Sequence, residues 1–94
     1  MHYFYILRCR DNSLYCGQTR DIDRRIKEHN EDPKKSARYA WSRQPVQLVY
    51  SEEYETLSDV LKREHEVKSW TKKKKEEMVM SRKSTDSLHN NTKA

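Results

Sequence analysis

The chain has 94 residues, of which 33% are hydrophobic and 37% charged, with 20 Lys and Arg set against 15 Asp and Glu. That length leaves room for one domain with a small, aromatic-rich core and excludes a second. The basic excess is clustered, as expected of a protein that meets a polyanion, although an ordinary lysine-rich surface has the same composition.

No stretch is long or apolar enough for a signal peptide or a membrane span, so a cytoplasmic protein without a membrane partner is expected. Cys9 and Cys16 are then reduced. They read as small core residues, and two cysteines with dispersed histidines make no zinc site.

Tyr3-Phe4-Tyr5-Ile6-Leu7 is a strand-forming run, Arg10-Asp11-Asn12-Ser13 supplies turn formers, and Leu14 to Gln18 returns as a second short strand. Antiparallel pairing brings Tyr5 and Tyr15 onto one small sheet. Asp21 is placed to cap a helix in which Ile22 and Ile26 share a side, at about 100° per residue. Arg25 and His29 border that buried side instead of facing solvent, and a functional site is the simplest reason.

Asn30 to Pro45 reads as a loop holding Lys34, Lys35, Arg38 and Arg43, with Tyr39 and Trp41 interleaved. Cations that neutralise phosphates beside rings that stack on bases suit a nucleic acid. Equally, the two rings cover the core beneath the loop. Val46 to Tyr50 reads as a third strand.

Thr56 to Trp70 is the best helix pattern, with Thr56 as cap, Asp59 in the first turn, and Leu57, Val60, Leu61 and Val67 as an apolar stripe. Glu64 falls inside that stripe, where an unpaired carboxylate is costly to desolvate. Its partner is Lys68 one turn on, Arg25 across the sheet, or a divalent metal; by spacing alone the Lys68 pair ranks first.

Thr71 precedes Lys72-Lys73-Lys74-Lys75-Glu76-Glu77-Met78-Val79, a last short helix. If Thr71 caps it, four lysines crowd the positive end of the helix dipole, which an anion such as a phosphate backbone offsets. In a helix continuous through Trp70 the same lysines are only a solvated face. The expected division is a domain over residues 1–80 and a disordered polar tail over 81–94.

Tyr3-Phe4-Tyr5, Tyr15-Cys16-Gly17 and Arg25-x-x-x-His29 together resemble the GIY-YIG nuclease superfamily. The likeness is to its small, single-domain bacterial branch of uncharacterised proteins, which are related to excision-repair nuclease domains. It runs from about Tyr3 to about Met78. Gly17 matches the glycine that ends the second motif, whereas Tyr3 stands where the first motif has glycine and the middle of the second is Cys16. Glu76 stands where some branches place an asparagine.

The resemblance implies an α+β fold, a three-stranded antiparallel sheet flanked by helices in the order ββαβαα. It further implies a metal-dependent DNA endonuclease, structure-specific and linked to repair or recombination. Glu64 would be the lone carboxylate ligand of Mg2+ or Mn2+, and Arg25 would bind the scissile phosphate. One of Tyr5 and Tyr15 would be the general base, with His29 either holding a tyrosine hydroxyl or moving a proton. The DNA, single-stranded or branched, would meet Lys34, Lys35, Arg38, Arg43, Lys68 and Lys72 to Lys75. A non-catalytic nucleic-acid binder on the same fold and a small protein-binding adaptor are the other two classes open to this sequence.

Overall fold

The structure, a computed structural model, describes the backbone of residues 1–89 and the side chains of residues 1–81. Its elements are β1 (His2–Arg8), β2 (Leu14–Thr19), α1 (Ile22–Glu31), α2 (Arg38–Trp41), β3 (Gln47–Tyr54), α3 (Leu57–Lys68) and α4 (Lys72–His89). The strands form one antiparallel sheet in the order β2-β1-β3. The fold is therefore α+β, as expected. One turn of helix, α2, interrupts the segment read as a loop, and β3 runs on to Tyr54.

Because β1 is central, both of its faces are covered: Phe4, Tyr5, Ile6 and Leu7 are each at most 1% exposed. Alternation along the strand divides them. Phe4 and Ile6 join Cys16, Tyr50, Val60, Val67 and Val79 under α3 and α4. Tyr5 and Leu7 join Cys9, Ala40 and Val46, with Tyr15 and Ile26 packed against them under α1 and α2. Both cysteines are free and buried, and burial pushes their thiols up.

Three polar caps start the longer helices. The Asp21 side chain accepts from Arg24 N at 3.1 Å, Thr56 Oγ1 from Asp59 N at 3.1 Å, and Thr71 Oγ1 from Lys74 N at 3.2 Å. A break at Ser69 and Trp70 separates α3 from α4, so the lysines occupy a true helix start rather than the middle of a continuous helix. The stretch expected as a polar tail begins inside α4; residues 90–94 lie outside the described residues.

The apolar stripe of α3 differs from its sequence reading. Val60 and Val67 are fully buried, but Leu57 and Leu61 are 48% and 43% exposed. The helix is rotated toward Arg63, whose guanidinium grips Glu52 of β3 through two 2.9 Å bonds. The hydroxyls of Tyr50 and Tyr54 donate to the same carboxylate, and Trp70 lies against Arg63. Rotation keeps Glu64 on the sheet-facing line, one turn beyond Val60.

Candidate active site

The hairpin register sets Tyr5 opposite Gly17 and Tyr15 opposite Leu7, with all four on the α1 side of the sheet. The Tyr5 ring lies across Gly17, which has no β-carbon to block it. From above, α1 contributes His29, fully buried, whose Nε2 is 3.1 Å from the Tyr5 hydroxyl. The other ring nitrogen, Nδ1, is 3.2 Å from Ser36 Oγ in the segment between α1 and α2.

Burial and the neighbouring Arg25 charge pull His29 down to about 4, so the ring is neutral near pH 7. Burial pushes Tyr5 up to about 12, against the pull of the Arg25 guanidinium. Burial disfavours both the imidazolium and the phenolate, so moving the phenol proton to the imidazole is energetically opposed. Of the two roles open to His29, the geometry and these energies favour holding the Tyr5 hydroxyl over taking its proton.

Arg25 is half-buried beside them. Its Nη1 donates to Glu28 Oε1 at 3.1 Å and to the Lys35 carbonyl at 2.6 Å. Burial opposes its charge, but Tyr5 and Glu28 outweigh that and keep it protonated.

Tyr15 stands at the rim. Its ring meets the edge of His29 at 5.4 Å and stacks on Tyr39 at 6.0 Å and 23°. Tyr39 in turn carries Arg43 over its ring at 3.8 Å, and Arg43 is tied to Asp11 at 3.0 Å. Tyr39 thus covers Tyr15, as the core-covering reading expects, while remaining 38% exposed. Arg43 is engaged in this latch, whereas Lys34, Lys35 and Arg38 present exposed side chains.

Since β2 is an edge strand, groups from both faces of the sheet meet at its open side. A cavity of about 240 Å³ there is lined by Leu14, Tyr15, Cys16, Tyr39, Lys68 and Lys75. Lys68 pairs with Glu64 at 3.0 Å, the partner that spacing ranked first. The Glu64 carboxylate is near enough to act electrostatically on Tyr5 and Cys16. Lys72 to Lys74 are exposed on α4, with Lys74 packed on the Trp70 ring at 4.2 Å.

No group of three or more His, Cys, Asp or Glu residues able to hold a metal occurs among the described residues. Glu64 alone therefore suits only a hard cation that draws its remaining ligands from water and substrate phosphate, as Mg2+ commonly does. The Lys68 ammonium, 53% exposed, is a weak competitor for it. Glu76, at the asparagine position of some branches, is occupied by Arg8 through bonds of 2.5 and 2.8 Å.

Sequence reasoning missed Ser36 and the Arg63–Glu52 pair. Neither belongs to a periodic pattern, and an isolated serine in a loop sends no signal. The one clue was Pro33, which leaves a carbonyl of α1 without its usual donor.

The GIY-YIG catalytic domain family matches residues 1–77. A UPF0213 protein of Haloquadratum walsbyi is 49% identical over 78 residues, covering 83% of this chain and 85% of that one. A second, from Staphylococcus saprophyticus, is 46% identical over 78 residues, with 83% and 93% covered. Among solved structures, the solution NMR structure of a UPF0213 protein from Bacillus halodurans superposes with a TM-score of 0.58 at 39% identity. The match covers 98% of this chain and 94% of that one.

Proposed function

The chain belongs to the GIY-YIG catalytic domain family, and on that footing we propose that it is a divalent-metal-dependent endonuclease that hydrolyses phosphodiester bonds in DNA. The observation that carries the reading is the meeting of Tyr5, Tyr15, Arg25 and His29 on the α1 side of the sheet, with the Glu64 carboxylate close enough to act electrostatically on Tyr5. Glu64 would hold a Mg2+ or Mn2+ ion, which would supply Lewis-acid chemistry at the phosphate.

The chain's own residues have separable tasks. Arg25 binds the phosphate and offsets the charge that develops on it. Tyr15, at the rim and open to the cavity, takes the proton of the attacking water. Tyr5 is too basic and too enclosed to exchange protons with solvent easily, so it orients that water while His29 holds its hydroxyl. Lys68 and Lys72 to Lys75 receive the DNA backbone, together with Lys34, Lys35 and Arg38 and, once released from Asp11, Arg43. A cytoplasmic role in repair or recombination, on single-stranded or branched DNA, fits this reading.

A second reading is a nucleic-acid binder without turnover. The Glu64–Lys68 pair, which gives the carboxylate a partner without a metal, favours it.

The deciding experiment is cleavage of labelled single-stranded, duplex, flap and four-way-junction DNA with Mg2+ or Mn2+, by the wild type and Glu64→Ala. The endonuclease reading expects cleavage by the wild type and none by the variant, with binding intact in both. Salt-sensitive binding with no cleavage by either leaves the second reading standing.

A further inference from the structure

Ser36 Oγ sits 3.2 Å from His29 Nδ1, 3.3 Å from the His29 carbonyl oxygen and 3.0 Å from the Ala37 carbonyl oxygen. A serine hydroxyl has one hydrogen to give, and carbonyls can only accept. The His29 carbonyl lies in the last turn of α1, where its usual donor is the N–H four residues on. That residue is Pro33, which has none. Asp32 N, the next nearest donor, is committed to the Glu28 carbonyl at 2.9 Å. The Ser36 hydrogen is therefore spent on a backbone carbonyl, and a lone pair of its oxygen faces the ring.

We propose that Ser36 is a positioning residue that fixes His29 as the Nδ1–H tautomer and so turns the Tyr5 hydroxyl hydrogen toward His29 Nε2. With its hydrogen on Nδ1, the neutral ring presents a bare Nε2 to Tyr5, 3.1 Å away. Tyr5 then donates inward and keeps its lone pairs for the groups at the site's centre. The same short stretch holds Arg25 through the Lys35 carbonyl at 2.6 Å. Lys35 and Ser36 thus preset both the cation and the phenol. The consequence for turnover rests on the endonuclease reading: Tyr5 accepts a hydrogen bond from the attacking water, and His29 has no hydrogen to lend.

The test is the 15N NMR spectrum of the histidine rings near pH 7, which needs no activity. In the wild type, His29 Nδ1 is expected at the protonated position and Nε2 at the unprotonated one. Ser36→Ala removes the acceptor and is expected to shift the ring to Nε2–H or a mixture, whereas Ser36→Thr keeps the wild-type pattern. Wild-type protein carrying hydrogen on Nε2 overturns the proposal, as does a Ser36→Ala spectrum identical to wild type. If Ser36→Ala does not fold, Ser36→Cys, a weak acceptor, makes the same comparison. In cleavage, Ser36→Ala is expected to lower kcat without raising KM, with recovery in Ser36→Thr. An inactive wild type that still shows the Nδ1–H ring rejects the endonuclease reading while leaving the tautomer assignment intact.

Discussion

The Tyr5 hydroxyl lies 2.5 Å, and its Cζ 2.7 Å, from the point where a β-carbon on Gly17 would stand. The only glycine of the chain is thus required by a close approach across the hairpin rather than by backbone torsion, since no glycine has a positive φ. Tyr5 cannot yield easily, because it is buried and held by His29.

Gly17→Ala is expected to destabilise the protein by about 1–3 kcal/mol, the usual range for overpacking a tight site. Urea unfolding measures this. The same substitution displaces the Tyr5 hydroxyl, so the His29 ring resonances move in the folded variant.

Glu64→Gln separates a structural from a chemical role. Its partner Lys68 is largely in solvent, so unfolding free energy is expected to change by less than about 1 kcal/mol. Cleavage with Mg2+ or Mn2+ is expected to be lost. A stable variant that cuts DNA at the wild-type rate rejects Glu64 as the ligand.

The two tyrosines are expected to respond differently. Tyr15→Phe, which removes the general base, lowers kcat by about 10²–10⁴-fold with little effect on stability. Tyr5→Phe leaves His29 Nε2 without its donor in a buried site and destabilises by about 1–3 kcal/mol. Single-turnover cleavage and urea unfolding on both variants expose an inverted assignment.

Acid destabilisation has a known sign at His29. Its folded value of about 4 lies below the ordinary 6.5, so the unfolded chain binds the proton first. Stability is full above about 6.5, falls as pH drops through that window, and has lost about 3 kcal/mol from this group below about 4. Carboxylates held low by Arg63, Arg25 and Arg8 act in the same direction at lower pH. Comparing His29→Phe with wild type by urea unfolding between pH 4 and 7 isolates the histidine: the variant's slope is flatter there.

Replacing Lys72 and Lys73 by Ala is expected to weaken DNA binding uniformly across sequences. It should also reduce the dependence of log affinity on log salt by roughly 0.7–0.9 for each phosphate that is no longer neutralised. Both side chains are exposed, so unfolding serves as the control and stays near wild type.

The local parts of this protein were determined by the sequence alone. Apolar runs with turn residues between them specified the hairpin, and the caps at Asp21 and Thr56 specified two helix starts, because each signal acts within a few residues; between a start at Thr71 and a continuous helix, the break at Ser69 and Trp70 decided. Arg25 and His29 stood out in the same local way, by bordering the buried side of α1, whereas Tyr5, Tyr15 and Glu64 were marked as site residues by the resemblance of the motifs to a known family. Only the tertiary structure decided what depends on groups far apart in the chain. The grip of Arg63 on Glu52 rotated α3 and exposed Leu57 and Leu61, Tyr39 closed over Tyr15, and Ser36 met His29 across a proline-broken helix end. Each is a pairing of surfaces that meet only once the sheet has formed, and no periodicity along the chain encodes it.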